Sequence, residues 1–72
     1  MANKDQDNLR KGLGDKLKKF RELSGLTQAQ VADASGVNSN YYARIERGEE
    51  NPSYEKLQAI MKALNIKSLD LD

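Results

Sequence analysis

Leu9, Leu13, Leu17 and Phe20 recur at intervals of four, four and three residues, an apolar stripe on an otherwise charged segment. That period predicts an amphipathic helix ending near Leu23 or Ser24. Gly12 and Gly14 weaken its first turns by up to about 1 kcal/mol each, so its start falls at Leu9 or at Leu13. Gly25 closes it as a left-handed C′ residue, with Leu26 packed behind. Thr27 then N-caps a second helix, and Gln30 three positions on completes a capping box. Ala29, Val31 and Ala32 give this helix a small apolar face that lets another helix approach closely. Gly36 stops it and Val37 packs back over its end. Asn38 or Ser39 restarts the chain and Gly48 stops it again. After the polar loop Glu49-Glu50-Asn51-Pro52, Ser53 caps a fourth helix, with Glu55 near the positive end of its dipole. Leu57, Ile60, Met61 and Leu64 form the stripe of that helix.

The two ends carry weaker patterns. Met1 to Asn8 is polar and aperiodic, which predicts a flexible arm. The stretch from Ile66 to Asp72 alternates apolar and polar residues, and reads either as a short fifth helix begun by Ser68 or as a frayed end. Its apolar residues pack either on a second subunit or back on their own core. No Val/Ile/Thr-rich strand occurs anywhere. The expected organisation is an all-α domain of four to five helices over residues 9–66, with an arm at 1–8 and a tail or fifth helix at 67–72.

Thr27 to Gly48 is the stretch that organises the rest. Two short helices joined by a glycine-containing turn are the helix-turn-helix signature. At about 100° per residue, Asn38, Tyr42 and Ile45 fall on one side of its second helix. Asn40, Ala43, Arg44 and Arg47 fall opposite, with Ser39 at the near edge. The first side must bury. The second is polar and cationic, and offers side chains suited to base edges: Asn for adenine, Arg for guanine, Ala for a thymine methyl. A solvated helix face is the bland alternative, and the surrounding motif argues against it.

Composition narrows the function classes. With 72 residues the chain holds one small domain, of marginal core size. It has neither cysteine nor histidine. That removes disulfides, thiolate chemistry, the usual general base and the commonest metal ligand. With no glycine-rich phosphate loop and little room for a pocket, no enzyme, cofactor, metal or small-molecule ligand is expected. Asp33 and Glu46 make no persuasive catalytic carboxylate pair. No apolar run approaches a membrane span and the start is no signal peptide, so a cytoplasmic location is expected. The net charge is only +1, weak for a nucleic-acid binder. Its distribution is uneven, however. Arg10, Lys11, Lys16, Lys18, Lys19 and Arg21 crowd the first helix, whereas Glu46, Glu49, Glu50, Glu55, Asp70 and Asp72 lie later. Such segregation gives either a basic face or simply a solvated lysine-rich helix.

The order and spacing of these pieces resemble the phage repressor and Cro type of helix-turn-helix domain, the XRE-like family. The matching residues are Leu13-Gly14, Leu17, Phe20-Arg21, Gly25-Leu26-Thr27-Gln28, Val31-Ala32, Ser35-Gly36-Val37, Ile45-Glu46-Arg47-Gly48, Pro52-Ser53, Leu57, Ile60 and Leu64. They cover roughly residues 13–66. The run from Asn38 to Arg47 with Asn51-Pro52-Ser53 looks most like the restriction-modification controllers, beside phage repressors and antitoxins. The resemblance implies a lambda-repressor-like fold and a transcriptional regulator that binds double-stranded DNA as a homodimer on a pseudo-palindromic operator.

By the same resemblance, Ser39, Asn40, Ala43 and Arg44 face bases in the major groove. Thr27, Gln28, Asn38 and Arg47 touch the DNA backbone, and Gln28 sits where free N–H groups favour a phosphate. Arg21 and Glu46 form a partly buried structural ion pair. Tyr42 belongs to the core by angle. Tyr41 is at the edge, where its hydroxyl either reaches a phosphate or merely tops the packed ring. Glu49 and Glu50 depart from the pattern, since they stand where basic residues often meet phosphates. The competing reading is an adaptor or antitoxin-like protein-interaction module on the same fold.

Overall fold

The computed structural model describes residues 4–67. It contains α1 (Lys4–Ser24), α2 (Gln28–Ser35), α3 (Ser39–Glu46) and α4 (Tyr54–Ala63). Helix α1 packs on α3, and α2 packs on both α3 and α4. Leu17, Val31, Ala32, Tyr42, Ile45, Ile60 and Leu64 close into one core, flanked by Leu13, Phe20, Leu26, Val37, Tyr41, Leu57, Ala63 and Ile66. The helical stripes in the sequence therefore meet in one core, with α2 and α3 each packed between two neighbours.

Local chemistry ends each helix where the pattern requires. The Thr27 hydroxyl accepts the Gln30 N–H at 3.0 Å, and the Gln30 side chain accepts the Thr27 N–H at 2.8 Å, a reciprocal capping box. Asn38, rather than Ser39, caps α3, accepting N–H groups from Asn40 and Tyr41. Ser53 caps α4. All four helices end in the same way. The residue after a left-handed position donates its N–H five residues back, as Leu26 to Arg21, Val37 to Ala32, Glu49 to Arg44 and Ile66 to Met61. The left-handed position is glycine in three of them and Asn65, at φ 58°, in the fourth. Asparagine tolerates that region better than other side chains do.

Helix α1 differs from expectation at its beginning. It starts at Lys4, so residues 4–8, expected as an arm, continue the helix instead. The costly step in helix formation is nucleation, which the packed turns from Leu13 to Phe20 supply, and adding turns upstream of them is cheap. Leu9 accordingly sits on a helix that has run past its support, and is 73% exposed. The expected fifth helix or tail lies, beyond Lys67, outside the described residues.

Gly14 has a second role that propensity does not reveal. A Cβ there would stand 2.4 Å from the carbonyl oxygens of both Ile45 and Glu46. The absent side chain lets α1 lie directly on the C-terminal turn of α3. Gly48 meets the same helix from the other partner: its φ is +77°, and a Cβ there would fall 3.0 Å from Lys11 Cα. Gly12, by contrast, faces open space.

Candidate nucleic-acid interface

Helix α3 has two sharply different sides. Tyr42, Ile45 and Glu46 are buried against α1 and α2. Ser39, Asn40, Arg44 and Arg47 are exposed on the other side, with Ala43 half-buried between them. The angular reading of the sequence predicts that division except at two positions: Asn38, expected on the buried side, is exposed because it is the N-cap before the first turn, and Glu46 is buried.

Glu46 is charged and yet only 5% exposed. Arg21 grips it through two bonds, Nε to Oε2 at 2.6 Å and one terminal nitrogen to Oε1 at 3.1 Å. The other terminal nitrogen of Arg21 donates to the Leu26 carbonyl at 3.0 Å, so the guanidinium also braces the α1–α2 turn. Gln28 Nε2 donates to Glu46 Oε1 at 2.9 Å. One carboxylate thus ties α1, α2 and α3 together. Burial pushes its pKa up, but the bonds from Arg21 and Gln28 and the nearby Tyr42 hydroxyl outweigh burial and hold the carboxyl below its ordinary value. The Tyr42 hydroxyl is buried beside this cluster without a well-formed hydrogen bond, and burial followed by the nearby Glu46 charge raises its pKa.

A pH dependence follows. A carboxyl whose folded pKa is depressed stabilises the fold fully above its unfolded value, near 4.5, and loses that contribution as pH falls through the folded value. Thermal melting is therefore expected to be flat between about pH 5 and 7 and to fall below about pH 4.5. Glu46→Gln should flatten the acid limb. An acid limb of unchanged steepness in that variant would assign the effect to other carboxylates.

The residues expected at a DNA backbone are placed unevenly. The Thr27 hydroxyl and the Asn38 side chain are engaged as caps. The Gln28 side chain is held by Glu46, while its N–H lies in the first turn of α2, where helical geometry offers no internal partner and favours an anion. Tyr41 packs on the core with Lys56 Nζ 5.6 Å from its ring centre, and burial, then Glu50, raises its hydroxyl pKa. Arg47 is engaged by Glu49 at 2.9 and 3.2 Å, and Arg44 lies 3.4 Å from Glu50. The Arg47 bond in turn holds the Glu49 carboxyl below its ordinary value. In the sequence these two acids stand only as departures from a basic pattern, and their pairing with the arginines is not legible there. The left-handed turn at Gly48 makes the pairing, because it folds the loop back onto α3.

Among the described residues no acidic, histidine or cysteine cluster could hold a metal ion, and no helix is long and apolar enough to cross a membrane.

Comparison with known proteins bears on the same region. A family model described as helix-turn-helix matches residues 17–71. An uncharacterised HTH-type transcriptional regulator of Sinorhizobium fredii, y4dJ, is 33% identical over 64 residues, covering 89% of this chain and 83% of that protein. The immunity repressor protein of Bacillus phage phi105 is 38% identical over 55 residues, and this chain spans only 38% of its length. The restriction-modification controller protein C.Esp1396I, solved as a tetramer with its natural 35 base-pair operator, superposes with a TM-score of 0.78 at 31% identity. That superposition covers 85% of this chain and 80% of the controller.

Proposed function

The chain belongs to the helix-turn-helix family, and from that membership we propose that it is a transcriptional regulator that binds double-stranded DNA. Helix α3 enters the major groove, with Ser39, Asn40, Ala43 and Arg44 at base edges. Thr27, Gln28, Asn38, Tyr41 and Arg47 lie along the backbone. The Gln28 N–H is the better phosphate donor, because the side chain is already held by Glu46. Residues 9–66 serve as the binding domain. The protein acts in the cytoplasm as a homodimer on a pseudo-palindromic operator, with half-sites about 10 bp apart or a multiple of that. Pairing two subunits offsets the modest affinity expected of one nearly neutral domain.

The observation that carries this reading is the two-sided α3. Its Tyr42, Ile45 and Glu46 side is locked into the core, while Ser39, Asn40 and Arg44 project from a helix anchored at both neighbours. Such rigidity suits directional hydrogen bonding to bases. The test is selection from a randomised duplex pool, followed by titration of Asn40→Ala and Arg44→Ala on the recovered site. Each substitution should cost about 1–3 kcal/mol and erase preference at one defined base pair. A uniform loss across all sequences would move that residue to the backbone set.

The acidic partners of Arg44 and Arg47 favour one second reading, a protein-interaction module whose exposed helix meets another protein. Failure to enrich any sequence, with binding that stays weak at low salt, would favour it.

A further inference from the structure

Glu49 and Glu50 each sit on an arginine of the exposed face, but not in the same way. Glu49 takes one edge of Arg47 with both oxygens, from Nε at 2.9 Å and a terminal nitrogen at 3.2 Å. Glu50 meets Arg44 through one looser contact of 3.4 Å. An arginine recognises phosphate or guanine with the same fork that it offers a carboxylate. The Arg47 fork is thus filled from within the chain, and the Arg44 fork is not. The fold also keeps the competitor in place. Past the left-handed Gly48, the Glu49 N–H donates to the Arg44 carbonyl at 2.8 Å, which fixes the Glu49 backbone against the end of α3, two residues past Arg47.

Resting on the DNA-binding reading, we propose that Glu49 is a built-in counter-anion of Arg47 that sets the strength and salt dependence of DNA binding without entering its sequence preference. DNA affinity comes largely from cations that displace the counterions of phosphates. Arg47 reaches DNA already neutralised. Either the pair stays intact and releases no counterion, or phosphate replaces the carboxylate and Glu49 is left facing the DNA backbone. Both routes subtract the same contribution from every duplex, whatever its sequence. Arg44, held by a single contact, remains able to turn its fork to a base.

The experiment uses fluorescence anisotropy on the selected duplex and on a random one, from about 50 to 200 mM salt. Four proteins are compared: the parent, Glu49→Gln, Arg47→Ala and the double variant. Glu49 is exposed and glutamine matches its shape, so the fold is unaffected. Glu49→Gln should tighten binding to both duplexes by the same factor. It should also steepen the slope of log K against log salt by about 0.9 per subunit, or about eightfold for each tenfold fall in salt. In the Arg47→Ala background the same change should do little, because no arginine is left to release. Equal tightening with and without Arg47 would overturn the proposal, making Glu49 a mere charge near DNA. A changed ratio between the duplexes would overturn it by placing Glu49 in base readout. Unchanged affinity and slope would also overturn it, because the carboxylate would then yield to solvent ions and set nothing. Should none of the proteins bind either duplex even at low salt, the DNA-binding reading itself fails, and this inference falls with it.

Discussion

Gly14→Ala lowers the unfolding free energy by about 3 kcal/mol, the upper range for overpacking, although helix propensity alone assigns the change a gain of about 1 kcal/mol. The added methyl would stand 2.4 Å from two backbone oxygens, those of Ile45 and Glu46. Neither is the end of a flexible side chain, so α1 as a whole must lift from α3. Leu17, which is fully buried, and Phe20 would be drawn off the core with it. Gly12→Ala is the matched control. It lies in the same helix with nothing within 4 Å of the added methyl, and should stabilise the protein by about 0.5–1 kcal/mol. Urea denaturation of both variants decides the matter. Equal stabilisation of the two would mean that α1 can lie farther from α3 without loss.

Glu46→Ala is expected to cost about 3–5 kcal/mol, the range for orphaning one member of a buried ion pair. A domain of this size holds only about 4–11 kcal/mol in total, so the variant should lose a large share of its stability and melt well below the parent. The penalty is mainly that of the partner left behind. The Arg21 side chain is 13% exposed and would keep only the Leu26 carbonyl. Replacing both members, as Arg21→Met with Glu46→Leu, should recover most of the loss, since a packed apolar pair is often as stable as a buried charged one. Comparison of urea midpoints for the single and double variants reads this directly. A double variant no better than Glu46→Ala would show that Gln28 and the α1–α2 turn depend on the carboxylate itself.

Both predictions concern residues whose importance was only half visible in the chain. The helices and their stops were legible because capping and left-handed ends are local chemistry. Thr27 with Gln30, Gly36 with Val37, and Ser53 each act within one turn of their own position. The face of α3 was legible too, since a helical period sorts Tyr42 and Ile45 from Asn40 and Arg44 without knowledge of the neighbours. The Arg21–Glu46 pair came from family resemblance rather than from spacing. Its partners are 25 residues apart, and no local rule joins them.

What the sequence by itself determined is therefore the set of helices, their ends and the polar side of α3, all consequences of interactions spanning a few residues. Three things waited for the tertiary structure. Gly14 reads as a weak point in a helix until α3 is laid across it, because a missing Cβ has meaning only where another backbone arrives. Lys4 starts α1 because packing downstream supplies the nucleus, which a polar aperiodic sequence cannot announce. Glu49 and Glu50 meet Arg47 and Arg44 once Gly48 turns the chain back, and a charge is attractive or repellent according to the partner that folding brings to it.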